Sequence, residues 1–253
     1  RTGSDSNAAR LNRSSGGFLM GLDAPTFDSW RLGMMAGYSH TSFDVKDRSS
    51  SGSSDNYHLG LYGGTQWGNL AFRTGAAYTW HDISTSRNIA FPGFTDRLKS
   101  DYAAGTAQIF GELAYGVGMG AARFESFADL AFVSLNTDSF TEKGGAAALT
   151  DVSMVSNSTF TTLGLRASTS FDLNGASVTA RGMLGWRHAF GDITPVAIQR
   201  FVAGGGSFSI WGVPIAHDVA SIEAGLDYAI TRNAIFGISY NAQLGSNVFD
   251  QSV

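Results

Sequence analysis

An all-β chain folded as an antiparallel, up-and-down transmembrane β-barrel is the architecture this sequence predicts. Three observations carry that expectation. Apolar residues recur at every second position over stretches of about ten residues. The connections between these stretches alternate between short and long. Charged residues share one face of each stretch with Gly, while large apolar residues take the other. A strand points successive side chains to opposite faces, so a period of two marks a sheet with two unlike sides.

The first clear element runs from Trp30 to Thr41, where Trp30, Leu32, Met34, Ala36, Tyr38 and His40 oppose Arg31, Gly33, Met35, Gly37, Ser39 and Thr41. From Leu70 to His81 the pattern returns, with Leu70, Phe72, Thr74, Ala76, Tyr78 and Trp80 against Arg73, Gly75, Ala77, Thr79 and His81. Further on, Phe124–Phe132, Thr162–Thr169, Val178–Arg187, Ser221–Tyr228 and Phe236–Gln243 alternate in the same way, and Gly17–Ala24, Tyr57–Gln66 and Asp101–Tyr115 do so more weakly. The total is about ten strands, and no segment carries a helical stripe.

Turn chemistry marks the short connections at Pro25–Asp28, Gly68–Asn69, Asp172–Gly175 and Thr231–Asn233. Between them lie long connections at Asp44–Asn56, Asp82–Ser100, Asn136–Ser158 and Gly191–Gly206, the first rich in Ser and linker-like when read alone. A soluble sandwich has no reason to sort its loops by length. A membrane barrel does, with short turns on one side and longer loops on the other.

Composition narrows the alternatives. Of 253 residues, 43% are hydrophobic, 12% aromatic and only 15% charged, and 32 are Gly. A soluble domain is about 25% charged and about 7% Gly. The aromatic content excludes disorder, the glycines lack the collagen period, and no run reaches the roughly 18 apolar residues of a membrane helix. With a net charge of −4 and only three lysines among 17 basic residues, the chain offers no basic stripe for nucleic acid. The absence of Cys removes disulfides, thiol chemistry and zinc–thiolate sites. The polar start, Arg1–Asp5, is no signal peptide. The expectation is either a cytosolic protein or a segment of a longer precursor.

The face opposite the apolar one carries Asp23, Arg31, Arg73, Glu112, Glu125, Asp129, Arg166, Arg181, Arg187, Glu223 and Asp227 among Gly, Ser and Thr. A face open to bulk water would be rich in Lys. Arg and acids in mixture suit a closed interior where opposite charges meet. Arg31, Arg73, Glu125, Asp129, Arg166, Arg181, Arg187, Glu223 and Asp227 are therefore expected to line a lumen, unless a one-residue bulge swaps the faces of a strand. On the other face, Trp30 and Tyr38, and likewise Phe72 and Trp80, stand eight residues apart, with Trp186, Tyr228 and Tyr240 also near strand ends. Eight residues at about 3.3 Å, tilted by about 40°, give roughly 20 Å of height, close to the apolar band between two aromatic girdles. These seven rings are expected at the lipid interface.

Catalytic constellations are weak. The five histidines, His40, His58, His81, His188 and His217, show no i, i+4 metal pair. His40 and His188 read as polar tips at the interface. Gly204–Ser209 lacks the pattern of a nucleophile elbow and reads as loop. Asp55, Asp82 and Asp101 lie at strand–loop edges, and only His81 with Asp82 or Asp101 approaches an acid–base set. The expectation from these residues is a barrel that is not an enzyme, with no catalytic residue and no metal site.

The segments Gly185–Asp192 (GWRHAFGD), Phe208–Ile230 (FSIWGVPIAHDVASIEAGLDYAI) and Ile238–Val253 (ISYNAQLGSNVFDQSV) resemble the C-terminal half of the autotransporter β-domain, the translocator of type V secretion. Upstream, Gly17–Asp23 (GFLMGLD), Leu32–Tyr38 (LGMMAGY) and Leu59–Gly63 (LGLYG) resemble its first half. The resemblance implies a twelve-stranded barrel in the outer membrane of a Gram-negative bacterium, anchoring and helping to export an N-terminal passenger. It implies outer-membrane lipid, the passenger with its linker helix, and the outer-membrane assembly machinery as partners, and no cofactor. Arg1–Ser4 matches the tail of the family's first strand and Val253 falls where its last begins. Residues 1–253 are thus expected to be a single domain truncated at both ends, its first and last strands largely missing. The alternatives are an outer-membrane barrel enzyme (a protease or lipase), a diffusion pore, and a soluble sandwich adhesin.

Overall fold

Strands make up almost all of the computed structural model, which describes residues 12–27, 29–45, 49–212, 214–231, 234–246 and 249–252. Asp28, Arg232 and Asn233 of the expected turns, and Arg1–Ser4 and Val253 at the expected truncations, lie outside them. In chain order the strands are β1 (Asn12–Thr26), β2 (Trp30–Val45), β3 (Ser50–Trp67), β4 (Leu70–Phe91), β5 (Phe94–Met119), β6 (Ala122–Thr137), β7 (Phe140–Thr141), β8 (Leu149–Asp151), β9 (Met154–Leu173), β10 (Ala176–Gly191), β11 (Val196–Phe201), β12 (Phe208–Trp211), β13 (Asp218–Thr231), β14 (Ala234–Gly245) and β15 (Phe249–Ser252). No helix occurs among the described residues.

Eleven strands form one sheet in the order β1-β2-β3-β4-β5-β6-β9-β10-β13-β14-β15, with every neighbouring pair antiparallel. Where about ten strands were expected, ten long ones are present, and the eleventh is the four-residue β15. The sheet curls until its first and last strands meet. Arg13 Nη2 on β1 lies 2.6 Å from Asp250 Oδ2 on β15, although the two strands share no ladder among the described residues. Register is unbroken along the long pairs except for one irregularity between Ala229 and Thr231. No bulge therefore swaps the faces of the central strands.

Tight turns close one end. Asn174 and Gly175 both have positive φ, 55° and 86°, the conformation that matches the twist of a two-residue hairpin. Asp172 Oδ1 accepts the Gly175 amide at 2.9 Å and braces this turn. Gly68 and Gly120 also sit at positive φ, in the β3–β4 and β5–β6 turns. The turn at Gly120–Ala121 was not anticipated, because the alternation leading into it is broken by small residues.

The other end departs most from expectation. Among the described residues, Asp44–Asn56 is almost all strand and Asp82–Ser100 is strand apart from a tight turn at 92–93, with Lys46–Arg48 outside the described residues. The ladder between β3 and β4 runs on through the Ser-rich stretch to Ser50↔Arg87, and that between β4 and β5 continues to Phe91↔Phe94. Pairing consumes only N–H and C=O groups, so it continues after the strands have left the surroundings that impose apolar alternation. The two longest connections, within Asn136–Ser158 and Gly191–Asp218, carry β7, β8, β11 and β12. These form a separate sheet in the order β12-β11-β8-β7, and Phe208 and Ser209, expected in a loop, belong to β12.

Burial is inverted relative to a water-soluble protein. Along the centre of β6, Glu125, Phe127 and Ala131 are buried on one face, while Phe124, Leu130 and Phe132 are exposed on the other. Leu163, Leu165 and Leu184, on β9 and β10, are 51%, 62% and 60% exposed. The buried apolar cluster of the wall is only Ala71, Ala114 and Phe127, with Met183 against it. An apolar surface of this extent has no counterpart on soluble monomers, whose patches span a few hundred Å². It suits lipid, and the continuous ladders of the sheet satisfy the backbone between its edges there.

Candidate functional site: the charged inner face

Strand parity and register bring the inward side chains of neighbouring strands into rows. Arg73 stands opposite Glu112, Glu112 opposite Asp129, and Glu125 opposite Arg166. Four of these groups interlock across β4, β5, β6 and β9. Arg73 donates to both oxygens of Glu125 at 2.8 and 3.0 Å and to Glu112 Oε1 at 2.6 Å. Arg166 donates to both oxygens of Glu112 at 2.8 and 2.5 Å and to Glu125 Oε1 at 3.2 Å. Each carboxylate is thus shared by two guanidiniums, whose planar forks match it bidentately. Arg166 also lies over the Phe127 ring, 3.8 Å from its centroid. Arg123 extends the group with a contact of 3.9 Å to Glu125.

Two smaller groups share this face. Arg181 is paired with Glu223 and, at 3.0 Å, with Asp227. Arg31 is paired with Asp23, which also accepts a hydrogen bond from Tyr62 at 3.4 Å. Arg187 and Asp129 are different. Arg187 reaches Gln243 Oε1 at 2.9 Å and the Phe160 ring at 5.1 Å, but no carboxylate among the described residues. Asp129 accepts no hydrogen bond there. Both line one hollow of about 290 Å³ with Glu112, Thr162, Ser221 and Asn241. A second hollow, of about 300 Å³, gathers Arg73, Arg123, Glu125, Arg166, Arg181 and Glu223 from five strands. Glu112 was noticed on this face in the sequence but left out of the expected lining set, because Ala103, Ala104 and Ala107 blur the alternation of β5.

Glycine gives these large groups their room. Tyr62 lies where a side chain at Gly33 would stand, and the Arg181 guanidinium is 3.0 Å from a Cβ built at Gly225. Gly33→Val is expected to lower stability by about 1–3 kcal/mol through overpacking. Denaturant unfolding of the reconstituted barrel measures it, and adding Tyr62→Ala should recover much of the loss.

Higher on the same face runs a row without carboxylates or guanidiniums. Ser39 Oγ meets His58 Nε2 at 2.9 Å, and His58 Nδ1 meets Thr79 at 2.9 Å. His81 bonds Asn56 Oδ1 at 2.7 Å and Thr106 at 2.8 Å. The acid–base set considered for His81 is therefore not formed. Asp82 follows His81 in the strand and so faces outward, and Asp101 is engaged by Ser84 at 2.7 Å. Asp55, also outward, accepts from Tyr38 at 2.5 Å and is bonded by His40 at 2.8 Å.

On the outer face, Trp30 and Phe72 flank Thr65 in one row near the tight turns, in edge contact at 6.2 Å. Tyr38, Tyr57 and Trp80 make a second row toward the long connections, with Tyr38 and Tyr57 at 5.5 Å. Trp186 donates to Asp218 at 2.9 Å, and His188 bonds the same carboxylate. Tyr228 lies toward the turn end of β13, whereas Tyr240 sits in the middle of β14 and bonds Gln251 at 3.1 Å.

The autotransporter β-domain family model matches residues 1–241. The chain is 41% identical over 247 residues to an extracellular serine protease of Serratia marcescens, and 38% identical to a second of that description. The match covers 98% of this chain but 24% of each relative, so the chain spans about a quarter of their length. Among solved structures, the translocator domain of NalP from Neisseria meningitidis superposes with a TM-score of 0.76 at 14% identity, covering 95% of this chain and 79% of that one. The β-domain of the Bordetella autotransporter BrkA gives 0.67 at 19% identity, covering 95% and 88%. The chain belongs to the autotransporter β-domain family, the translocator barrels of the Gram-negative outer membrane.

Proposed function

We propose that this barrel anchors an upstream passenger in the outer membrane and offers it a polar path to the cell surface, with no bond made or broken by the barrel itself. The observation that carries this reading is the neutralisation of the inner face by its own charges. Arg73, Arg166, Glu112 and Glu125 satisfy one another, as do Arg181, Glu223 and Asp227. A passing polypeptide then meets a hydrated surface with few unpaired charges to hold it. Arg31, Arg73, Glu125, Asp129, Arg166, Arg181, Arg187, Glu223 and Asp227 line this path. Arg187 and Asp129, which form no ion pair among the described residues, are the points at which a resting linker helix finds counter-charges.

Outside, Trp30, Tyr38, Phe72, Trp80, Trp186, Tyr228 and Tyr240 settle the barrel against outer-membrane lipid. The outer-membrane assembly machinery inserts it as one domain. A non-enzymatic barrel is supported by the surroundings of its inward histidines. His58 has hydroxyls on both ring nitrogens, so no carboxylate orients it as a general base beside Ser39.

Narrowing the path tests the proposal. Thr162→Trp with Ser221→Trp places two rings in the hollow beside Arg187 in the full-length protein. Protease accessibility of the passenger on whole cells is expected to fall at least tenfold, with a stalled intermediate, while the barrel keeps its heat-modifiable gel mobility. Export at the unmodified rate from the narrowed barrel would refute a path through the lumen.

A further inference from the structure

We propose that the sheet β12-β11-β8-β7 is a lid that lies across the outer mouth of the barrel, latched to the wall by Arg87 and Glu142. The inference rests on the barrel fold and not on the passage of a passenger.

Parity places the latch. β4 runs eleven residues beyond Trp80, from the upper aromatic row to Phe91, and β5 accompanies it. Along this overhang, Arg87 shares the face of Arg73, while Asp96, Leu98 and Tyr102 share the face of Glu112. These four side chains therefore point toward the barrel axis, and the connection after β6 packs on them. Arg87 donates to both oxygens of Glu142 at 3.1 and 2.6 Å and to the Ala147 carbonyl at 3.2 Å. Glu142 also accepts the Leu149 amide at 3.0 Å, and Asp96 accepts that of Ala147 at 2.8 Å. Tyr102 stacks on Phe140 with centroids 4.3 Å apart, and its burial pushes the phenol up from its ordinary value. Leu98 is completely buried beneath.

The approach is close enough to require Gly144, at φ 125°, where a Cβ would strike the Arg97 carbonyl. Lys99 and Lys143 complete the attachment by exchanging backbone hydrogen bonds at 2.9 and 2.8 Å.

The opposite side of the lid hangs from another part of the wall. β11 and β12 arise between β10 and β13, beyond β6 and β9 in the sheet order, yet β11 pairs with β8 through Gln199↔Asp151, Arg200↔Thr150 and Phe201↔Leu149. Gln199 donates to Asp151 at 2.9 Å, and the Val202 amide to Ala148 O at 2.8 Å. At the root of this connection, Ala189 N donates to His217 O at 2.8 Å. A sheet hung on β10 and β13 and latched to the axial side of β4 and β5 bridges a chord of the barrel. Its attachment to the overhang uses one bidentate ion pair, a ring stack and a few backbone bonds, separate from the wall ladders. Local opening can therefore release it while the wall stays folded. In the latched position it impedes solutes, and in the released position it frees the mouth.

The test is conductance of the full-length protein in planar bilayers. Arg87→Ala with Glu142→Ala is expected to raise the open-state occupancy at least tenfold while heat-modifiable mobility persists. A lock acts in the opposite sense. Lys99 and Lys143 form a hydrogen-bonded cross-strand pair, whose Cα separation of about 5.5 Å lies within disulfide range. Lys99→Cys with Lys143→Cys is therefore expected to abolish openings when oxidised and to regain them when reduced. Openings indifferent to both the latch variant and the oxidised lock would overturn the lid. If the latch variant fails to fold, the lock alone decides, and openings unchanged by its oxidation overturn the proposal while leaving the translocation reading intact.

Discussion

Glu125→Gln is expected to lower the stability of the barrel by about 2–3 kcal/mol, measured by denaturant unfolding in lipid vesicles. The Glu125 side chain is only 8% exposed and holds Arg73 through two bonds and Arg166 through a third. Without its charge, two guanidiniums compete for Glu112 alone. Breaking one partner of a buried ion pair costs roughly 3–5 kcal/mol in a dry interior, and the partial exposure of both arginines reduces that figure here. Arg123→Gln is the control: its half-exposed guanidinium stands 3.9 Å from Glu125, and its loss should cost under about 0.5 kcal/mol. Glu112→Met with Arg166→Met should cost less than the two single changes summed, because removing both partners strands neither charge. Equal losses for Glu125→Gln and Arg123→Gln would mean that the four-charge group contributes nothing specific.

Leu165→Arg should be costlier still, about 2–4 kcal/mol, because it places a charge against lipid near the middle of the β9 span. The same residue introduced by Ser170→Arg, five positions along on the inner face and opposite Thr179, should shift stability by no more than about 0.5 kcal/mol. A soluble sheet would reverse or erase this contrast. Refolding yields and unfolding midpoints in vesicles of one lipid composition measure both variants.

The wall was legible because lipid on one side and water on the other impose strict alternation. Trp30–Thr41 and Leu70–His81, recognised from period two, lie wholly within β2 and β4. The grouping of charges was less legible. Parity places Arg73 and Glu125 on one face, but a whole strand, β5, separates in sequence what register brings together, and only its two ladders reveal it. Parity sufficed to divide His81 from Asp82, although their shared place at a strand–loop edge suggested an acid–base set. The overhangs and the lid were illegible for a physical reason. The Ser-rich start of β3 is carried in the ladder by backbone pairing without apolar alternation, and β7 and β8 are too short to carry a period.

The pairing order also bears on how the molecule assembles. In the large sheet most ladders join strands consecutive in the chain, and the exceptions, β6 with β9 and β10 with β13, are separated only by the excursions that build the lid. Formation can thus proceed hairpin by hairpin, each step closing a modest loop. The meeting of Arg13 with Asp250 spans 237 positions and has no such local precursor. Low contact order favours speed, and remote closure carries the loop entropy that local pairing avoids. Bringing Arg13 to Asp250, rather than pairing any strand with its neighbour, is the contact that carries this entropy.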